Sequence, residues 1–291
     1  MKITETTAKS VLVKSNLPAS DYVANPYGGC THNCRYCYAS FMKRFTGHEE
    51  PWGTFLDVKH YESCKLPRSL AGKTVLLSSV TDPYNPYEVK YHKSREILEL
   101  LRGTEAHVEI LSKSDLMVRD LDLLTQIPDL SVGISMNTLD DSFRKVIEPG
   151  APSVQRRLNA LKALHDAGIR TYLFVSPIFP YITEIRELAD AVKNTVDQIC
   201  FENLNLRGDY RVRILEWIHE HHPELDGLYH EIYSKGSREY WTALDQEMRG
   251  YTEANGMPYL RDDDQHRAAF GDPPVVVNYF YHEEVKKSAK K

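Results

Sequence analysis

From about residue 70 to residue 204, short apolar runs alternate with segments patterned as helices, and this alternation constrains the fold more than any other feature of the chain. Strand-type runs occupy Val75–Ser79, Val108–Leu111, Leu130–Met136, Thr171–Val175 and Ile199–Leu204. Between them come segments with one apolar face. Ser94–Arg102 carries Ile97, Leu98 and Leu101 and ends at Gly103, and a helix over Asp120–Ile127 stops at Pro128. Pro152-Ser153 opens a helix with Leu158, Leu161 and Leu164 along one side, closed by Gly168. Thr183 opens another that bears Ile185, Leu188, Ala189 and Val192 at the spacing of one face. With a short strand at Tyr22–Asn25, the chain reads as about six strand-then-helix units. Such repetition implies an α/β fold with a parallel sheet and crossovers of one hand. Functional loops of such sheets lie at the carboxyl ends of the strands. Ser79, Lys113, Ser135 and Ser176 fall there, as does a loop rich in cysteine.

After Arg207 the pattern changes, which divides the chain into residues 1–210 and an extension, 211–291. Val212–Glu220 and Leu228–Arg249 read as helices, the first with Ile214, Trp217 and Ile218 in one stripe. Val275–Tyr281 reads as a late strand, and the charged run Glu283–Lys291 as a solvated tail. Hydrophobic residues at 42% and charged residues at 26% fit a globular protein and argue against general disorder. The net charge of −5 gives no global positive field to hold nucleic acid or an anionic membrane. No apolar run approaches the roughly 18–20 residues that span a bilayer. Met1–Ser20 lacks the apolar centre of a signal peptide. The expected address is cytoplasmic, with no membrane partner.

Five cysteines stand at positions 30, 34, 37, 64 and 200. An odd number, with three inside eight residues, is a poor disulfide framework and points to metal ligation in a reducing compartment. Cys30, Cys34 and Cys37 form a C-x₃-C-x₂-C triplet behind Gly28-Gly29, which permit the turns of a loop around a cluster. Three thiolates can hold three irons of a [4Fe–4S] cubane and leave the fourth open to a small molecule, whereas electron-transfer clusters use four protein ligands. Structural zinc wants four ligands in paired knuckles, and no second pair is present, although His32 and His48 are close in sequence. A four-ligand ferredoxin would need Cys64 or Cys200, each of which stands alone. Cys200, within Ile199-Cys200-Phe201, reads as a buried core thiol.

With Tyr36 just before the third cysteine and Tyr38 just after it, the triplet resembles the signature of the radical S-adenosylmethionine (SAM) superfamily. Its surroundings resemble the branch similar to spore photoproduct lyase. The resemblance is carried by Asn25-Pro26-Tyr27-Gly28-Gly29-Cys30, by Thr81-Asp82-Pro83-Tyr84 with Glu88, and by Leu111-Ser112-Lys113-Ser114-Asp115 with Arg119-Asp120. Ser135, Asn137, Glu148-Pro149, Ala151-Pro152-Ser153 and Arg157 extend it. Within the branch the chain is similar to the radical SAM mobile pair proteins of the B type. The resemblance covers residues 20 to about 210 and implies a partial (β/α)6 TIM-like barrel, with a cluster at its mouth and a mostly helical extension behind. It also implies an enzyme whose catalytic metal ligands are Cys30, Cys34 and Cys37. SAM would chelate the open iron, and an electron would cleave it to methionine and a 5′-deoxyadenosyl radical that takes hydrogen from a substrate. The implied partners are a reductant such as flavodoxin or ferredoxin and, for a mobile pair, a second radical SAM protein.

Roles follow for the residues at the strand ends. A SAM carboxylate needs a cation or fixed donors, which Lys113, Arg157 and the hydroxyl of Ser79 or Thr81 can supply. Ribose hydroxyls suit Ser135 and Asn137. Adenine needs a flat apolar wall and backbone partners, from Tyr36 and the stretch Val175–Ile178. Asp82 shares the second strand's loop and is, before Pro83, also a common turn opener. The substrate is less legible. Spore photoproduct lyase uses a cysteine hydrogen donor in the loop after its second strand, and Leu77–Asp82 holds none, which speaks against that repair reaction. Glu202–Arg207 places a carboxylate, two amides and a guanidinium at the last strand end. Arg35, Lys43, Arg44, Phe41 and Phe45 read as a helix with both rings buried and its basic side solvated, in preference to a basic, aromatic rim for nucleic acid. The expected substrate is a small molecule, a peptide or a partner protein. Nucleic-acid modification or lesion repair is one alternative, and a non-catalytic iron–sulfur protein another.

Overall fold

The computed structural model describes residues 1–17, 20–261 and 270–279; the charged tail lies outside them, as does the end of the late strand. Twelve strands are formed among the described residues: β1 (Lys2–Ala8), β2 (Val13–Lys14), β3 (Tyr22–Ala24), β4 (Tyr27–Gly28), β5 (Phe55–Tyr61), β6 (Thr74–Leu77), β7 (His107–Ser112), β8 (Leu130–Ser135), β9 (Arg170–Ile178), β10 (Gln198–Asn203), β11 (Tyr259–Leu260) and β12 (Val275–Asn278). The large sheet runs β11-β12-β10-β9-β8-β7-β6-β3-β2. All of its pairings are parallel except β2 with β3. Its two edges are not paired to each other among the described residues, so the sheet is open.

Helices follow the strands as crossovers require. Lys93–Leu101 follows β6, Val154–Asp166 follows β8, and Ile185–Val192 follows β9. Ile97, Leu98, Leu161, Leu164, Leu188 and Val192 cover the outward side chains of the strands, among them Val108, Ile110, Val132, Ile134 and Leu173. β8 is covered on both faces and buried at every residue. The opposite face of the sheet carries Tyr172, Cys200, Val275 and Val277. Gly133 pairs with Tyr172, and a Cβ there would lie 2.2 Å from the tyrosine ring, so the glycine makes room for it.

Three features depart from the sequence reading. Leu228–Arg249 is two helices, Asp226–Tyr233 and Glu239–Ala254, because the chain turns through Gly236 at φ +75°. The late strand is not an appendage. β12 pairs with β10 and extends the large sheet. A second sheet, β1-β5-β4, lies ahead of the first crossover; β1 is polar and half-exposed, so no apolar run announces it. Its strand β5 passes behind the cysteine loop. No helix among the described residues is long and apolar enough to cross a membrane.

Candidate active site

The cysteine loop leaves β4 through Gly29, at φ +77°, where a Cβ would meet Phe55 O at 2.6 Å. Only glycine fits. Cys30 and Cys34 are buried and Cys37 half-buried, and all three are free thiols. The loop docks on the segment after β8. Arg35 N donates to Ile147 O (2.9 Å) and Gly150 N to His32 O (2.9 Å), while Arg35 Nε donates to Val146 O (3.0 Å) and His32 Nδ1 lies 3.0 Å from Gly150 O. A Cβ on Gly150 would sit 2.4 Å from Thr31 O, so the two segments touch backbone to backbone.

Two buried carboxylates organise the surroundings. Asp82 Oδ1 accepts from Ser112 Oγ (2.6 Å) and Tyr84 N (2.9 Å), and Oδ2 from Lys113 N (2.8 Å). His32 Nε2 lies 3.0 Å from Oδ2 but off the line of a hydrogen bond, so that contact is electrostatic. Burial opposes the charge of Asp82, yet the His32 ring and these donors outweigh it and hold the carboxyl at about 2. Glu148, fully buried, meets Arg157 Nη2 at 2.5 Å and Lys113 Nζ at 3.4 Å, and accepts from the Tyr36 hydroxyl. Here too burial opposes ionisation, and Arg157, Lys113 and the Tyr36 hydroxyl hold the group at about 2.

Arg157 is itself fully buried; it donates to Ser135 O (2.9 Å) and Pro152 O (3.1 Å) besides Glu148. Its guanidinium thus binds protein on every side, not an open space. Thr81 Oγ1 is likewise engaged, with Gly29 O, and Ser79 O accepts from the Tyr38 hydroxyl. Lys113 is the cation that reaches furthest: Nζ lies 2.5 Å from Ser135 Oγ and 5.6 Å from the Tyr36 ring centre. Tyr36 stands edge-on to Phe179 at 5.8 Å. Ile178 is fully buried and pairs with Asn203. Ser176 Oγ donates to Glu202 Oε2 at 2.5 Å.

Burial, then Asp82, then Cys37 push the Cys30 thiol up to about 12. Burial and Glu148 push Cys34 well up against the pull of Lys113, and burial raises Cys37 against the pull of Trp52. The free thiols are therefore protonated at neutral pH, and metal has to displace the protons. No set of three or more His, Cys, Asp or Glu side chains among the described residues closes on a single ion, whose ligands would all have to lie about 2.3 Å from one point. Asn137 is fully buried, and neither its amide nitrogen nor its amide oxygen has a partner; Ser78 Oγ and Thr31 Oγ1 are buried and unpartnered too. Leaving such groups unsatisfied costs about 1–3 kcal/mol each.

Two expectations change. Phe41 and Phe45 are 44% and 66% exposed. Tyr38–Phe45 is a 3₁₀ helix, in which residues four apart do not share a face. Arg44 lies over both rings, at 5.5 and 4.6 Å. Cys64 is exposed, and Cys200 is buried beside Tyr172 on the inner face of the sheet. Neither packs in the apolar cluster that holds Cys30, Cys37, Trp52 and Phe55.

Residues 24–193 match the family model of the radical SAM superfamily. The chain belongs to that superfamily. A protein of Methanocaldococcus jannaschii is 33% identical over 228 residues, which cover 77% of this chain and 85% of the relative. The radical SAM Nalpha-GlyT isomerase of Pseudomonas phage M6 is 31% identical over 178 residues, 57% of this chain and 35% of the isomerase. In fold, the chain is similar to a cysteine-to-serine variant of spore photoproduct lyase, at a TM-score of 0.54 and 16% identity, over 76% of this chain and 66% of the lyase. Radical SAM enzymes use a [4Fe–4S] cluster and SAM and draw their electron from a reductant. The residues present fit both groups. Three unpaired thiols share one loop, and the unpartnered Asn137 amide at the end of β8 is the kind of group a polar ligand satisfies.

Glu148, His32 and Trp52 are site residues that the sequence reading did not single out. The Glu148-Pro149 pair carried a signal through its place in the family pattern; Trp52 carried none.

Proposed function

We propose that this chain is a radical SAM enzyme whose cluster ligands are Cys30, Cys34 and Cys37, and whose SAM lies against Lys113, Ser135 and Asn137. The observation that carries the reading is the triplet of free thiols beside the unpartnered Asn137 amide and the Lys113–Ser135 contact. When bound, the cluster and SAM supply a 5′-deoxyadenosyl radical that removes hydrogen from a substrate. The chain's own residues bind and orient. Lys113 offers a cation for the SAM carboxylate, and Ser135 and Asn137 offer polar partners for the ribose. Tyr36 and Ile178 offer apolar walls for adenine. Ser79 contributes through the loop it shares with Thr81. Asp82, Thr81 and Arg157 act as positioning residues: they fix the loops after β6, β7 and β8 against the cysteine loop.

The substrate is a small molecule, a peptide or a partner protein, read in part by Glu202 held by Ser176. A flavodoxin- or ferredoxin-like donor supplies the electron. One observation supports a second reading, a nucleic-acid substrate: Phe41 and Phe45 stand exposed under Arg44, as base-stacking rims do. Anaerobic reconstitution and reduction with SAM tests the enzyme. Methionine and 5′-deoxyadenosine are expected, and their absence from a fully loaded protein sinks the proposal. Failure of labelled DNA or RNA to bind at low salt rules out the second reading.

A further inference from the structure

The segment 46–54 folds over the cysteine loop. Gly53, at φ +93°, comes so near that a Cβ would overlap Asn33 Oδ1 at 2.1 Å. This closeness seats Trp52 against the loop. The indole is buried, stands edge-on to Phe55 at 5.7 Å, and shares an apolar cluster with Cys30, Ala39, Met42 and Cys37. Its Nε1–H is buried, with no oxygen or nitrogen acceptor in reach. An indole N–H is a donor only, and burying it unpaired is unfavourable, so a buried tryptophan ordinarily finds a partner. The polar atom at hand is the sulfur of Cys37, whose thiol feels the indole as a donor that favours its charged form.

Resting on the reading of Cys37 as a cluster ligand, we infer that Trp52 donates its indole N–H to the Cys37 sulfur and thereby raises the reduction potential of the cluster. The physical argument is one of charge. A reduced cluster carries one more negative charge than an oxidised one, part of it on the ligand sulfurs. A donor aimed at such a sulfur therefore stabilises the reduced state more than the oxidised one, and hydrogen bonds to sulfur are among the levers that set these potentials. Trp52 is a positioning and tuning residue here, not a catalytic one.

The test uses Trp52→Phe, which keeps an aromatic ring in the cluster and removes the N–H. Both proteins are reconstituted anaerobically, assayed for iron and sulfide, and titrated by EPR-monitored potentiometry. The variant is expected to load four irons like the wild type and to bind its electron about threefold to tenfold less tightly, with the midpoint moving downward at about 59 mV per tenfold. An unmoved midpoint in a loaded variant overturns the inference. Should the variant load poorly, pulsed EPR on reduced wild-type protein labelled with ¹⁵N-tryptophan decides instead. Hyperfine coupling to one indole nitrogen is expected, and its absence overturns the inference. A wild-type protein that assembles no [4Fe–4S] cluster would instead refute the ligand reading beneath it.

Discussion

Asn137 places a primary amide in full burial with both polar ends unpaired. In the ligand-free protein that arrangement is unfavourable, and a bound polar ligand removes the penalty. Asn137→Leu should therefore move two quantities in opposite directions. Ligand-free protein should gain stability by up to about 1–3 kcal/mol, because an unsatisfied amide is replaced by a shape-matched apolar group. Affinity of the reconstituted protein for SAM should fall by about tenfold or more, at roughly 1.4 kcal/mol per tenfold. Urea unfolding and calorimetric titration measure the two. A variant that loses stability and keeps its SAM affinity would show that the amide is part of the core. Lys113→Met offers a second check. Nζ is the cation beside Ser135 and Glu148, so its loss should weaken SAM binding about tenfold to a hundredfold, within the range of a charge-assisted hydrogen bond. Unchanged affinity by the same titration would remove Lys113 from the ligand set. At this scale the sequence was legible where chemistry dictates residue type. Cysteine spacing and strand-end polar residues are visible without a fold. Trp52, His32 and the reach of Lys113 to Glu148 depend on how distant segments are brought together, and no local pattern encodes that.

The elements repeat this division. Strands β6 to β10 were readable because each is an apolar run buried on both faces, and their helices because one face must cover the sheet. β1 was not readable, because a polar strand at a sheet edge has no hydrophobic signature. The burial of Phe41 and Phe45 was misjudged because a periodicity of 3.6 was applied to a segment that winds as a 3₁₀ helix. The docking of the cysteine loop on the segment after β8 is a contact between elements, and Gly150 is its closest point. Gly150→Ala should force the two backbones apart, at a cost of about 1–3 kcal/mol, and should lower iron incorporation while leaving the far-UV spectrum unchanged. Gly227→Ala, where a Cβ meets nothing within 4 Å, is the control and should load normally. Equal iron content in the two variants would show that the loop holds its cluster without that contact.

Taken as a whole, the molecule hangs its cysteine loop on two buried carboxylates, and this gives it a distinct response to acid. Glu148 and Asp82 are held at about 2, against ordinary values of 4.5 and 3.8. A carboxyl whose folded value is depressed contributes stability that is complete above its unfolded value and is lost as pH falls toward the folded one. The window for Glu148 is thus about pH 4.5 down to 2, and for Asp82 about 3.8 down to 2. Each contributes on the order of 2–3 kcal/mol, at 1.36 kcal/mol per unit. Ligand-free protein should therefore hold a flat urea midpoint between pH 5 and 7 and lose it steeply below about pH 4. Glu148→Gln removes one partner of the buried pair with Arg157 and should cost about 3–5 kcal/mol at pH 7. The same change deletes one of the two groups that take up a proton on unfolding, so the variant's decline between pH 4.5 and 3 should be shallower than that of the wild type. Parallel declines in the two proteins would place the acid response elsewhere, in exposed pairs such as Arg156–Asp115. A variant as stable as the wild type at pH 7 would show that Arg157 does not need its carboxylate, and that the loop after β8 is held by backbone contacts alone.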